Sequence, residues 1–152
     1  MKYALGILKP DCLKRGLEKK VFEIIERSSL KLILKKRLRF TKQDVEYIYE
    51  HYKKNDYFDS LIDVMTSGDS IAYIVEGDGD VIRRLNSITG HTYPKYAKKG
   101  TIRELGIDIR YNLAHSTTNI QNFWKEAKHI FSKEELCTLD LEEVNRESEK
   151  LS

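Results

Sequence analysis

Two short apolar runs without charged residues, at positions 3–8 and 70–75, most constrain what this chain can fold into. Each run has the length of a buried β-strand and is too short for a buried helix. Pro10 follows the first run and Gly77 the second, and both residue types interrupt regular elements. A third stretch, 30–40, places its apolar residues mainly on one face, which is typical of a half-buried strand. The sequence therefore predicts at least three strands.

Between and after these strands, apolar residues recur at the spacing of one helix face. Thr41 followed three residues later by Asp44 resembles a capping box, which starts helices. The order strand, helix, strand, helices, strand, helix indicates an α+β fold, a ferredoxin-like antiparallel sheet covered by helices in a single domain. The predicted helices are 17–25, 41–52, 58–65, 80–88 and 120–131.

The segment 89–112 has little periodicity and contains several glycines and a proline, as functional loops often do. Within it, residues 107–109 are predicted to form a last short strand. After position 131 the sequence becomes rich in Glu and Lys. We therefore predict a charged C-terminal tail, for which a helix is one possible conformation.

Charge and cysteine content limit the classes of partner. A net charge of +3 is too small to predict a nucleic-acid partner, although it suits anionic ligands. Cys12 and Cys137 have no metal-ligand or redox spacing, so no disulfide framework or protein-bound metal is expected and a reducing compartment is favoured. The apolar start is too short for a signal peptide or a membrane span. We expect a cytoplasmic protein without a membrane partner.

One of the four histidines, His115, has the surroundings of a reactive group. It lies in the polar, loop-like run 112–119, which leads into the last predicted helix and its Glu126. A neutral imidazole accepts a phosphoryl group well when one ring nitrogen attacks and the other holds its proton against an acceptor, such as this carboxylate. The remaining histidines, which we interpret as structural, are His51, His91 and His129.

Two cationic residues also indicate phosphate chemistry. Lys9 stands at the end of the first strand and Arg103 lies in the irregular segment, and both can bring positive charge to a transferring phosphoryl group. The order of the motifs is more specific than any single motif. Over roughly residues 3 to 136 the chain resembles the nucleoside diphosphate kinases. The motifs that carry this resemblance are Lys9-Pro10-Asp11, Ser67-Gly68, Gly100-Thr101-Ile102-Arg103 and Asn112-x-x-His115.

The resemblance implies a ferredoxin-like fold and a ping-pong mechanism. In such a mechanism a histidine takes the γ-phosphate of a nucleoside triphosphate and passes it to a nucleoside diphosphate. Mg²⁺ would accompany the nucleotide, bound through its phosphates, and a homo-oligomer is expected because the family is oligomeric. The resemblance also divides the chain into a kinase-like domain, 1–136, and a charged C-terminal tail, 137–152.

Matched residue by residue, the resemblance makes His115 the phosphorylated nucleophile and Glu126 the carboxylate that supports its ring. Lys9 would complete the catalytic set. Tyr57 falls where the base stacks and Leu61 lines the same slot, and such stacking tolerates different bases because each presents a flat face. The positions that match contacts to phosphate or sugar, or support of the nucleophile, are Lys9, Tyr52, Thr92, Arg103 and Asn112.

The sequence departs from the family pattern directly after the nucleophile. The family continues with Gly-Ser-Asp-Ser, whereas this chain has Ser116-Thr117-Thr118-Asn119. The loop between Tyr52 and Tyr57 is also shorter. These departures motivate an alternative function, a nucleotide-binding regulatory or scaffolding protein with weak or no transfer activity.

A second departure concerns the family's second phosphate-binding arginine. Arg84 is its best match if a small insertion is allowed before Gly90. Without that insertion, Asn86 or Leu85 takes the position. Arg84 is therefore included among the substrate-binding candidates.

Overall fold

The structure, a computed structural model, describes residues 1–140, which contain four strands and seven α-helices. The strands are β1 (Tyr3–Leu8), β2 (Lys31–Leu38), β3 (Ser70–Glu76) and β4 (Ala114–Ser116). The helices are α1 (Pro10–Lys14), α2 (Glu18–Arg27), α3 (Lys42–Ile48), α4 (Phe58–Thr66), α5 (Val81–Thr89), α6 (Ile120–Ile130) and α7 (Lys133–Leu136). Three short 3₁₀ turns lie at Glu50–Tyr52, Pro94–Tyr96 and Arg103–Leu105.

The four strands form one antiparallel sheet in the order β2-β3-β1-β4. Every residue of β1 is buried, because β1 has a neighbour on each side and helices α5 and α6 pack on it. β3 is buried along its length except for Glu76, whereas β2 lies at the edge and carries exposed lysine and arginine. The predicted α+β, ferredoxin-like sheet covered by helices is confirmed.

The last strand lies elsewhere than predicted. Residues 107–109 form a turn in which the Ile107 N–H donates to the Tyr111 carbonyl at 2.8 Å and the Asp108 carboxylate accepts from the Arg110 N–H at 2.8 Å. The strand is instead β4, inside the run that the sequence marks as loop-like. Three residues are too few to display a periodicity, and β4 is defined by its pairing with β1, in which His115 is opposite Ile7.

Helix boundaries follow local capping. The predicted capping box is present, because the Asp44 N–H donates to Thr41 Oγ1 at 3.1 Å and the Thr41 N–H donates to the Asp44 carboxylate at 2.8 Å. The helix that it starts ends at Ile48, and a 3₁₀ turn contains Tyr52. Helix α1 was not predicted, because it is too short to display a helical pattern, whereas α7 lies in the segment after position 131 for which a helix was one possible conformation.

The described part of the C-terminal segment packs on the domain. Leu139 is buried in the core, and the Asp140 N–H donates to Tyr3 Oη at 2.9 Å. Residues 141–152 of the predicted tail, 137–152, lie outside the described residues. Within residues 1–140, none of the helices combines the length and the apolar character needed to cross a membrane.

Candidate active site

Two cavities meet at His115 and together form the candidate cleft. The smaller chamber, about 40 Å³, and the larger chamber, about 270 Å³, share Tyr52, Thr92, Arg103 and His115 as lining residues. A larger groove of about 670 Å³ lies between α2 and β2, but none of the site residues predicted from the sequence lines it. We therefore locate the candidate site by the residues that line each cavity and not by cavity volume.

The His115 ring is held by a buried carboxylate. His115 Nε2 lies 2.7 Å from Glu126 Oε1, and Thr117 Oγ1 donates to Glu126 Oε2 at 2.6 Å. Burial alone would raise the pKa of Glu126, but the charge of His115 and the hydrogen bonds from His115 and Thr117 outweigh burial and lower that pKa. With Glu126 ionised, Nε2 carries the ring proton and Nδ1 keeps the free lone pair.

Lys9 brings a buried amine to the smaller chamber. Its side chain follows β1, and Nζ donates to the Arg110 carbonyl at 2.6 Å and to Asn112 Oδ1 at 3.0 Å. Asn112 Nδ2 in turn donates to the Thr92 carbonyl at 3.0 Å. Burial lowers the pKa of Lys9 to about 8, opposed in part by the charge of Asp11. The hydrogen bonds thus hold the Lys9 amine in place in the lining of the smaller chamber.

Arg103 joins β4 to the end of α5. Its guanidinium donates to the Ala114 carbonyl at 2.9 and 3.2 Å and to the Gly90 carbonyl at 3.0 Å. Burial lowers the pKa of Arg103, although an arginine remains charged at neutral pH. Arg103 and His115 line both chambers, so a ligand in either chamber would meet the positive charge of Arg103 together with His115.

A strained turn delivers Asn112 and His115 to the cleft. Leu113 has φ +73°, in the left-handed region that non-glycine residues rarely adopt. Asp11 Oδ2 accepts the Leu113 N–H at 3.0 Å, and the Lys9 N–H donates to the Leu113 carbonyl at 2.9 Å. Asp11 was not singled out from the sequence, although its place in the Lys-Pro-Asp motif was a signal. The motif therefore supplies both a cation and a support for the turn.

The aromatic side of the smaller chamber contains Tyr52, Tyr57 and Leu61. The ring centroids of Tyr52 and Tyr57 are 5.9 Å apart with the planes tilted by 50°. Leu61 is buried on α4. The structure therefore brings these three residues to the same chamber as Lys9 and Asn112.

Arg84 is not brought to the cleft. Its guanidinium donates to the carbonyls of Asp78 at 2.6 Å and Ser28 at 2.8 Å, on the side of α5 that meets α2. Asn86 lines the larger chamber instead. Residues two apart on a helix point in nearly opposite directions, so the alignment without an insertion matches the geometry.

Two neighbours of His115 were not identified from the sequence. The Tyr49 ring is buried and meets the His115 ring edge-on, with centroids 5.0 Å apart. His51 lines the larger chamber, and burial and the charge of His115 lower its pKa. The helical spacing of Tyr49 and Tyr52 was the available signal for Tyr49. His51, interpreted from the sequence as structural, therefore lines the same chamber as His115.

Comparison with known proteins assigns the family. The sequence pattern described as "Nucleoside diphosphate kinase" matches residues 2–136. A nucleoside diphosphate kinase from Wolbachia sp. subsp. Drosophila simulans (strain wRi) is 38% identical over 133 residues, which cover 87% of this chain and 95% of that protein. The enzyme from Helicobacter hepaticus is 33% identical over 138 residues, 90% of this chain and all (100%) of that protein.

Solved structures agree with this assignment. A halophilic nucleoside diphosphate kinase from Halobacterium salinarum in complex with CDP superposes with a TM-score of 0.83 at 28% identity, covering 88% of this chain and 90% of that one. The enzyme from Encephalitozoon cuniculi gives a TM-score of 0.84 at 26% identity, covering 95% and 99%. Fold and sequence define a nucleotide-binding phosphotransferase. The chain belongs to the nucleoside diphosphate kinase family.

Proposed function

We propose that this nucleoside diphosphate kinase transfers the γ-phosphate of a nucleoside triphosphate to a nucleoside diphosphate through a phosphohistidine at His115. The observation that carries the proposal is the hydrogen bond of 2.7 Å between His115 Nε2 and Glu126 Oε1. This bond reserves Nε2 for the proton and leaves Nδ1 as the nucleophile. His115 lines both chambers, so its ring is accessible from the cleft.

The proposed chemistry consists of one displacement and its reversal. Nδ1 of His115 attacks the γ-phosphorus, an N–P bond forms, and the P–O bond to the β-phosphate breaks with its electron pair leaving on the diphosphate. Glu126 stabilises the positive charge that develops on the ring, while Lys9 and Arg103 stabilise the transferring phosphoryl group. An acceptor diphosphate then attacks the phosphohistidine in the reverse sense, which restores neutral His115.

The other residues would bind the nucleotide. Asn112 and Thr92 lie in the hydrogen-bonded network of Lys9, which supports roles beside phosphate and sugar. Tyr57 and Leu61 line the smaller chamber with Tyr52, which supports a stacking slot for the base. Because stacking reads a flat face and not a hydrogen-bond pattern, the enzyme is expected to accept several bases.

Mg²⁺ fits this cleft as an ion carried by the nucleotide. Within residues 1–140, no group of three or more His, Cys, Asp or Glu side chains is arranged to hold a metal ion. Mg²⁺ commonly binds through phosphates and water with few protein ligands. When bound, it would neutralise charge on the β- and γ-phosphates, while Lys9 and Arg103 act directly on the phosphoryl oxygens.

Assembly, location and domain limits also belong to the proposal. Exposed apolar side chains on the irregular segment, Tyr93, Tyr96, Ile107 and Tyr111, support a homo-oligomer. Cys12 and Cys137 are both free thiols, which supports a cytoplasmic location. We also propose that 1–136 acts as the kinase-like domain and 137–152 as a charged tail.

Steady-state kinetics test the proposed double displacement. With ATP as donor and GDP as acceptor, double-reciprocal plots at several fixed GDP concentrations are expected to give parallel lines. Parallel lines arise because the first product leaves before the second substrate binds. Lines that converge on a common point would indicate transfer within a ternary complex and would contradict the phosphohistidine route.

A further inference from the structure

We propose that Asn86 is a positioning residue that fixes the orientation of His115, and that it is not a phosphate ligand. Asn86 lies on α5 and lines the larger chamber, and it is one of the two residues that match the family's phosphate-binding arginine when no insertion is allowed. This inference rests on the proposed phosphohistidine mechanism, since it concerns how the nucleophile of that mechanism is held.

The Asn86 carboxamide has no free donor for a phosphate. Its Nδ2 atom carries two N–H groups, which donate to the Ile82 carbonyl at 2.9 Å and to the Thr117 carbonyl at 2.8 Å. Its Oδ1 atom accepts a hydrogen bond from Ser116 Oγ at 2.9 Å. A phosphate oxygen is an acceptor and needs a donor, so binding one here would require breaking a bond within the protein.

The bonds of Asn86 instead lead to the nucleophile through one residue. The Thr117 N–H donates to the Leu5 carbonyl at 3.0 Å, and its own carbonyl accepts from Asn86, so the Thr117 backbone is held from both sides. The Thr117 hydroxyl then donates to Glu126 Oε2, and Glu126 Oε1 holds His115 Nε2. Asn86 therefore restrains Thr117, Thr117 orients the Glu126 carboxylate, and Glu126 orients the His115 ring.

The two departures from the family pattern near this site contact each other. Ser116 matches the family's glycine, Asn86 matches the family's arginine in the alignment without an insertion that the geometry favours, and their side chains are hydrogen-bonded. Among the lining residues of the larger chamber in the described part of the chain, Arg103 is the one lysine or arginine. The uncharged, hydrogen-bonded pair of Asn86 and Ser116 therefore stands where the resemblance implies a second phosphate-binding cation.

The variant Asn86→Leu tests this role, because it nearly keeps the size of the side chain and removes both N–H donors without adding a charge beside the phosphates. We expect kcat for exchange to fall about tenfold, as for other groups that orient a reactive side chain, while the KM for nucleotide changes little. The neighbouring variant Ser87→Ala, on the exposed side of α5, is the control and is expected to keep both constants. A raised KM at unchanged kcat would identify a phosphate ligand and overturn the proposal, as would no change in either constant.

A second variant covers the case in which Asn86→Leu does not fold. Ser116→Ala removes only the hydroxyl that donates to Asn86 Oδ1, and we expect kcat to fall about threefold, the effect of one hydrogen bond, at unchanged KM. Unchanged kcat in this variant would then overturn the proposal.

A measurement without turnover separates this inference from the proposed function. Nitrogen NMR of the His115 ring is expected to report one tautomer, with the proton on Nε2, in the unmodified protein and a mixture of tautomers in Asn86→Leu. An unchanged ring signal in Asn86→Leu would overturn the positioning role and leave the proposed function standing. Absence of phosphohistidine in the unmodified protein would instead contradict the proposed function itself.

Discussion

Replacing His115 with alanine is expected to lower the rate of phosphate exchange between nucleotides by about 10⁴-fold or more, because the variant has no atom that can form the N–P bond. His115 lies on the edge strand β4 and lines both chambers, so the cleft should persist around the smaller residue. An exchange assay with ATP and GDP measures the loss.

The matched control for this prediction is His129→Ala. His129 lies on α6, pairs with Asp44 on the surface at 2.8 Å and lines neither chamber. We expect this variant to keep the exchange rate. Calorimetry should also find nucleotide binding retained in His115→Ala. Exchange in His115→Ala at a rate close to that of the control would contradict the assignment of the nucleophile.

The second large effect is expected from Lys9→Gln, which removes a buried cation from the smaller chamber. The kcat should fall about 10²- to 10³-fold, the usual cost of losing one charge-stabilising donor at a transferring group. Circular dichroism checks that the fold is kept. Lys14→Gln, which changes an exposed lysine of α1, is the control and should keep the kcat. A Lys9→Gln enzyme as active as this control would exclude the proposed role.

The pH profile provides the second arm of the Lys9 test. Burial lowers the pKa of Lys9 to about 8, and lysine is cationic below its pKa and neutral above it. The kcat/KM of the unmodified enzyme should therefore be level below about pH 8, as far as Lys9 is concerned, and fall above it. This alkaline fall should be absent from Lys9→Gln. An identical fall in the variant would show that another group causes it.

The parts of the fold that were predictable from the sequence are those that depend on local composition. β1 has no charged residue and β3 has none before Glu76, because helices and neighbouring strands cover them, and this apolar pattern can be recognised in the sequence. β4 could not be predicted from the sequence, because its three residues form a strand only by pairing with β1, about a hundred positions earlier in the chain. The prediction of a strand at 107–109 was wrong because Ile107, Asp108 and Ile109 alternate apolar and polar residues, as a strand does, although they form a turn.

The candidate site was predictable where its residues belong to motifs that occur in the same order as in the family. Lys9, Asn112 and His115 come together as expected, although the hydrogen bond between Lys9 and Asn112 joins distant parts of the chain. The choice between Arg84 and Asn86 could not be made from the sequence, since it depends on which side of α5 faces the cleft. That direction is set by the packing of α5 against α2 and β1, which no short motif encodes.

The most direct test of the central claim is to trap the phosphoenzyme. The protein is incubated with Mg²⁺ and ATP carrying a labelled γ-phosphate, without an acceptor, and the labelled peptide is then mapped. We predict that the label is stable in base, labile in acid, located on His115 and released as labelled GTP when GDP is added. Absence of label, or a label that is stable in acid or is not transferred to GDP, would contradict the account.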